Sequence, residues 1–444
     1  MRASTGPAPH PDPARVTEDL CRPLMGRPGW RWWTGLTAAL LLCAVGLGAV
    51  VYQMSVGIGT WGVDRSVGWA VDITSFVFWI GIGHAGTFIS AILFLLRRPW
   101  RSRVSRTAEA ATLLAVLCAG LFPLVHLGRP WLVYWMAPYP NTRGPLWVNF
   151  FSPLVWDFFA IGTYFLISLG FFYLGLVPDL AVMRARGYGR RGVRRLALPW
   201  DHSDESWRRY HTAYVALAGL AAVLVISVHT VVSWDFAVSL VPGWHSPLFA
   251  PYFVVGAVYS GLAMVVLLVL ALRRSLALRD YIGGDVLDRL CRLVACCSCF
   301  LALVYVVELR DWISHGNPAE GYLAGQRLAG SLLPPFAVVA VSNGVLPQLF
   351  WFARIRRRAG VTGSLAAIIL AGMWLERYLI IVGSLEWDYL PSSWTSYVPT
   401  AVEVMTLAGS AGLFLTGILL FSRLVPVLPM HEVKAGLWQR KEEW

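Results

Sequence analysis

Apolar residues in this chain fall into uninterrupted runs of about twenty, the length a helix needs to cross a hydrocarbon core roughly 30 Å thick. The runs predict ten transmembrane helices, over 35–56, 69–96, 107–127, 151–177, 210–234, 250–272, 293–313, 330–353, 361–384 and 398–422. An even number returns both termini to one side. Arg plus Lys number five ahead of the first run, then one, five, two, eight, none, five, about two, four and none between runs, and four after the last. This alternation predicts cytoplasmic termini and an external or periplasmic side for the Arg-poor loops. The expected organisation is a polar cytoplasmic tail over 1–34, an all-α membrane domain over 35–422 and a cytoplasmic tail over 423–444.

Composition sharpens the picture. With 57% hydrophobic and 14% charged residues, an ordinary soluble enzyme is excluded. A net charge of +12 would suggest nucleic acid, but 35 of the 37 cations are Arg and nearly all lie in short clusters between apolar runs. The charge therefore encodes topology, and no nucleic-acid partner is expected. The stretch MRASTGPAPHPDPARVTEDL is Pro-rich and lacks the apolar core of a cleavable signal, so the first span is expected to direct insertion. The loop around 178–209, with its GYGRRGVRRL run, reads as a basic face rather than a phosphate-binding loop. Cys291, Cys296, Cys297 and Cys299 cluster in one span, but on one helix they point in divergent directions and read as small apolar residues.

Ionisable side chains inside a bilayer cost at least about 2.5–3.5 kcal/mol at its centre, so each is a candidate for function. Asp72 begins the second span, His126 ends the third, Asp157 lies near the outer start of the fourth, and His229 and Asp235 end the fifth. Glu308 and Arg310 lie near the outer end of the seventh, and Glu376 and Arg377 in the outer third of the ninth. All fall in the external half. His126 and Asp157 flank a loop that also carries Arg129 and Arg143, whereas Asp72 and Glu308, near span ends, read as solvated boundary residues. Arg377 reads as countercharge to one or more of the external carboxylates. His84 is the exception in depth, near the middle of the second span. Acids at the cytoplasmic boundary such as Glu109 suit simple anchoring.

A pocket holding a His, several carboxylates and an Arg between aromatic walls suits oxidation of a membrane quinol. Neutral His and ionised Asp accept hydrogen bonds from the two hydroxyls and then take the protons. Haem is the rival cofactor, with His84, His126, His211 and His229 as ligand candidates. No span carries two of them thirteen or fourteen residues apart, and His126 and His229 lie too near the outer edge. A transporter would show broken helices at matching positions of two halves, and no convincing pair exists. Pro334, Pro335 and Pro347 read as boundary chemistry.

The strings HAGTFISAILFLLRRPWR, AEAATLLAVLCAGLFPLVHLGRPW, NFFSPLVWDFFAIGTYF, SVHTVVSWDFAVSLVPGWH, APYFVVGAVYSG, PQLFWF and GMWLERYLIIVGSLEWDYLPSSW resemble the NrfD/polysulfide-reductase membrane-subunit family. The resemblance runs from about residue 50 to about 430 and is strongest to the larger quinol-binding membrane component of alternative complex III. It implies two four-helix bundles with two extra helices, in a bacterial cytoplasmic membrane. It also implies a quinol pocket near the outer face, with menaquinol the expected substrate and no haem or iron–sulfur cluster in this chain. The implied partners are a periplasmic iron–sulfur subunit that takes the electrons, c-type cytochrome subunits, a second NrfD-type membrane subunit, a terminal oxidase and lipid. The family's pocket falls on His126, Asp157, Asp235 and Arg377; His84, Thr87, His229 and Glu308 fall on a proton path, with Arg129 and Glu376 nearby. The alternatives are the membrane subunit of another quinone-linked reductase and a proton-coupled transporter.

Overall fold

The computed structural model describes residues 13–136, 152–197, 199–314 and 317–442, and among these there is no strand. A short helix, α1 (Pro13–Met25), precedes α2 (Trp30–Val56), α3 (Val71–Leu95), α4 (Ser105–His126), α5 (Pro153–Arg186), α6 (Asp204–Ala237), α7 (Phe249–Ser275) and α8 (Gly284–Ser314). There follow a connecting helix α9 (Pro318–Ala329), α10 (Leu333–Trp351), α11 (Ala359–Leu385), α12 (Ala401–Leu424) and α13 (Met430–Glu442). Ten of these, α2–α8 and α10–α12, are long and apolar enough to span a membrane, matching the ten expected. Several outrun the apolar windows. α8 starts at Gly284 rather than 293 because Asp285, Asp288, Arg289 and Arg292 end the hydropathy signal without ending the helix. The segment expected as a polar tail contains α1, whose Val16, Leu20 and Cys21 are buried; its first twelve residues lie outside the described ones.

The helices pack as two rings of four. α3, α4, α5 and α6 close the first, α7, α8, α10 and α11 the second, and α3 joins them by lying against α7 and α11. α2 and α12 pair with each other and reach the rest chiefly through α4. That pair meets at Gly46 and Gly409, where a Cβ built on Gly46 would collide with the Gly409 Cα. Backbones this close tolerate only glycine, and dispersion across the seam replaces the hydrophobic effect that lipid does not supply. Gly409→Leu is therefore expected to lower the thermal stability of the solubilised protein by about 1–3 kcal/mol through overpacking. An unchanged melting curve would show that the pair has room to spare.

The face bearing α1, α13 and the Arg-rich loops, the basic face, is held by buried charge rather than by snorkelling. Arg101 donates to the Ser90 carbonyl at 3.0 Å and to Tyr214 and Glu432, and lies 3.6 Å from Glu109. Arg106 donates to the Gly175 carbonyl at 2.7 Å and to Asp179 at 3.1 Å. Asp179 also accepts the backbone N–H groups of Met430 and His431 at the start of α13, which docks that helix under the first ring. Glu109, expected to be a boundary anchor, is 2% exposed and accepts from Ser90.

Candidate functional site

Each helix of the first ring brings one ionisable side chain to the face opposite the basic one. Asp72 stands in the first turn of α3, His126 ends α4, Asp157 lies in the second turn of α5 and Asp235 in the last turn of α6. Three of them, His126, Asp157 and Asp235, line one cavity of about 350 Å³. Its walls are otherwise apolar and aromatic, with Trp69, Phe76, Phe158 and Phe236 among them. Trp69 stacks on Trp244 at 5.7 Å, and the Trp244 indole N–H donates to the Ile380 carbonyl at 2.6 Å, so this wall is braced by the second ring.

The fourth residue, Asp72, acts from behind. Its Oδ2 pairs with His126 Nδ1 and its Oδ1 accepts the Ala70 N–H at 3.2 Å, with the carboxyl 2% exposed. A carboxylate only accepts, so Nδ1 carries the hydrogen and Nε2 is left as the acceptor of the ring that lines the cavity. The boundary reading of Asp72 fails because the turn before α3 folds over it: Ala70 and Val71 beside it are fully packed.

Asp157 and Asp235 share the lining of this cavity. Both oxygens of Asp157 and Oδ1 of Asp235 are buried with no hydrogen-bond partner. Such orphaned acceptors cost about 1–3 kcal/mol each, and a molecule carrying hydroxyl donors would satisfy them.

One step deeper, His84 of α3 and His229 of α6 meet with their Nδ1 atoms 2.8 Å apart, and both side chains are fully buried. His84 Nδ1 also lies 2.7 Å from the Ile80 carbonyl, which can only accept. That assigns the hydrogen to His84 Nδ1 and makes His229 Nδ1 the acceptor. Tyr164 packs on His84 with ring centres 4.5 Å apart and donates to the Gly83 carbonyl at 3.0 Å. Thr87 follows one turn on, its N–H donating to Thr112 at 2.8 Å and its hydroxyl 3.4 Å from Ser168. Ser90 and Glu109 come next, so buried polar groups run from the cavity toward the basic face, where the sequence showed few. Sequence reasoning missed Tyr164, Thr112, Ser168 and Arg101 because hydroxyls and a loop arginine give no signal of depth.

The remaining candidates do not join this cavity. Arg129 is exposed in the turn after α4 and does not line it, and Arg143 lies outside the described residues. Arg377 is 3% exposed in the second ring, its guanidinium 4.5 Å from the Phe253 ring centre and 5.5 Å from that of Tyr252. No carboxylate lies within 4 Å of it among the described residues, and its Nη1 has no partner, so the expected countercharge is absent. Aromatic faces supply the stabilisation instead. Gly256 makes the room: a Cβ there would sit 2.5 Å from Nη2. Phe253 and Phe236, with centres 5.5 Å apart, stand between Arg377 and the cavity.

Glu376 turns the other way and accepts from Tyr252 and, at 2.7 Å, from Tyr305. Glu308 is buried rather than solvated and accepts from Ser246 at 3.1 Å. Arg327 of α9 stacks on Trp312 at 4.5 Å; its burial lowers the guanidinium pKa, an effect that nearby Glu308 and Tyr252 oppose. The clustered cysteines divide around α8, Cys291 buried and Cys296 and Cys299 exposed, although the last two have C-x-x-C spacing. Among the described residues no three His, Cys, Asp or Glu side chains are grouped to hold a metal.

Ten spans, eight in two four-helix rings and two paired beside them, with an acid-and-histidine cavity at one face of the first ring, define a class of multi-pass membrane protein. The chain matches the family "Polysulphide reductase, NrfD" over residues 61–386, and it belongs to that family. It is also 30% identical over 236 residues to a Halobacterium salinarum protein named as a putative membrane subunit of dimethyl sulfoxide reductase. The match covers 53% of this chain and 50% of that protein, so the chain spans about half the length of the curated relative it matches.

Proposed function

We propose that this chain is the quinol-oxidising membrane subunit of a respiratory or photosynthetic assembly of the alternative complex III type, in a bacterial cytoplasmic membrane. The positive-inside rule makes the basic face cytoplasmic and opens the cavity toward the periplasm. The observation that carries the reading is the set of unpartnered Asp157 and Asp235 oxygens in an apolar cavity. A quinol offers two O–H donors and a quinone none, so orphaned acceptors favour binding of the reduced form. Family membership and the relative's name support a redox complex in which this chain is the membrane part.

One quinol hydroxyl donates to the Asp157–Asp235 pair and the other to His126 Nε2. Oxidation releases two electrons and two protons; one proton goes to the carboxyl pair and one to the imidazole, whose new charge Asp72 balances. The electrons pass to a periplasmic iron–sulfur subunit and on to c-type cytochrome subunits and a terminal oxidase or soluble carrier. The membrane part also holds a second NrfD-type subunit, and menaquinol is the proposed substrate. In this reading Arg377 acts on the cavity through space, from behind Phe253.

The test is menaquinol-driven reduction of an external acceptor by the intact complex in native membranes. His126→Ala is expected to lower turnover about 100-fold or more, the usual worth of a general base. Asp72→Asn is expected to cost less and to change the pH profile, because the ring is kept and only its partner is altered. Wild-type turnover in His126→Ala would remove the histidine from the chemistry.

A further inference from the structure

At the basic face the second ring holds a cavity that quinol oxidation does not use. It measures about 380 Å³ and opens where α7 ends, α8 begins and the chain turns from α10 into α11. Its charged walls are Arg273 of α7, Asp285, Asp288 and Arg292 of α8, and Arg356 and Arg357 of the turn. A break in α10 sets that turn. Pro347 has no N–H for the Asn343 carbonyl, which instead accepts from Ser298 at 2.5 Å and Tyr259 at 3.3 Å, and the helix closes as a tighter 3₁₀ turn over Leu346–Trp351. Arg356 Nη1 donates to the carbonyls of Phe350 and Trp351 at its end, at 2.6 and 2.8 Å, while Nε donates to Asp288. With these three bonds and 7% exposure, this guanidinium is fixed in place rather than reaching for water.

Charge in the cavity is not balanced from within. Asp288 is shared between Arg356 and Arg292, the latter at 2.9 Å, and Asp285 is drawn away by Arg103, whose Nη1 donates to both its oxygens at 3.0 and 2.9 Å. Arg273 and Arg357 have no carboxylate within 4 Å among the described residues, and Arg273 Nε is buried without a hydrogen-bond partner. Four Arg against two Asp leave the lining with a net charge of +2. A topology signal needs arginines at this face, but it does not need them half-buried and unpaired around an open space. Spare guanidinium donors match the oxygens of a phosphate, which accept in the same forked geometry. The rim then passes to apolar side chains, since Leu293 follows Arg292 and Trp351 and Phe352 precede Ala353, and all three are exposed on the outside of the ring. Trp beside basic residues at a span end is the signature of the headgroup layer, and basic pockets between spans at that level suit anionic lipid heads.

We propose that this cavity binds the head of an anionic phospholipid, with Arg273 and Arg357 on the phosphate oxygens, Arg356 as a fixed wall and the acyl chains over Leu293 and Phe352. A head with two phosphodiesters, as in cardiolipin, matches the charge of the lining, whereas a zwitterionic head brings a cation of its own. The lipid bridges α7, α8 and the turn into α11, and so clamps the ring where Pro347 interrupts it. The site lies in the other ring and at the opposite face from the quinol cavity, and it does not rest on the proposed chemistry.

Native mass spectrometry tests this on the full-length protein, purified with its partners in detergent and titrated with cardiolipin or phosphatidylcholine. The Arg273→Gln, Arg357→Gln double variant is expected to need at least about tenfold more cardiolipin than the wild type to fill its last site, with no change for phosphatidylcholine. Arg274→Gln removes an exposed charge beside the cavity but outside its lining, and is expected to bind as the wild type does. Ala359→Glu keeps every arginine and places an acid in the cavity at the first residue of α11, where a helix tolerates it. It should lose the lipid as well, so a folding defect in the double variant does not decide the outcome. Wild-type cardiolipin binding in the cavity variants, or an equal loss in Arg274→Gln, would overturn the site. Displacement of cardiolipin by inorganic phosphate at equal concentration would make it a soluble-anion site and overturn the lipid assignment.

Discussion

Asp157→Asn is expected to reduce quinol-dependent electron transfer by about 10²–10⁴-fold, the range for loss of a positioned proton acceptor, while the complex assembles normally. Asparagine keeps the shape of the side chain in the second turn of α5, so the wall around it is preserved. It replaces an acceptor that can take a proton with an amide that cannot, at a position 4% exposed where water offers no substitute. Asp235 is not expected to compensate, because in the proposed reading the two carboxyls lining the cavity take the proton as one unit. For the same reason the Asp157→Asn, Asp235→Asn double variant should be little worse than the single one. Turnover of the purified complex with a menaquinol analogue, alongside quantification of co-purified subunits, checks both points. Activity within about threefold of wild type in Asp157→Asn would remove the pair from the reaction.

Arg101→Met is expected to have the largest effect on stability. The guanidinium is 4% exposed and is the shared partner of Glu109, Glu432, Tyr214 and the Ser90 carbonyl. Removing it leaves carboxylates uncompensated at the junction of α3, α4, α6 and α13, which costs about 3–5 kcal/mol. Methionine fills much of the volume, so the loss isolates charge from packing. Thermal unfolding of the solubilised protein measures it, and Arg101→Met combined with Glu109→Gln should recover part of the loss by removing one orphaned charge. If Arg101→Met melts with the wild type, the network contributes specificity rather than stability. Lower stability with normal turnover in the surviving fraction would assign Arg101 a structural role.

How far the sequence reaches is clearest from pairs of residues. Depth along a helix follows from counting residues at 1.5 Å each, so His126, Asp157 and Asp235 are recognisable as sharing one face, and the structure brings them to one cavity. Rotation about the helix axis is a different matter. Glu376 and Arg377 are adjacent in sequence and equal in depth, yet about 100° per residue separates their directions. One points to Tyr305 and the other to Phe253. Glu109 and Asp72 read as solvated ends because each lies beside a polar loop. Whether the loop folds over the end or away from it depends on packing between helices that no single window contains.

The sequence by itself determined the ten spans and the family, since each depends on residue type and spacing along one axis against a fixed membrane thickness. Only the tertiary structure decided which buried groups meet: His84 with His229, Asp72 with His126, Arg101 with Glu109 and Glu432, and Pro347 with a freed carbonyl that draws Ser298 and Tyr259. These meetings are set by helix rotation and close backbone approach at glycines. Both arise from the fit of whole helix surfaces and leave no periodic trace in the chain.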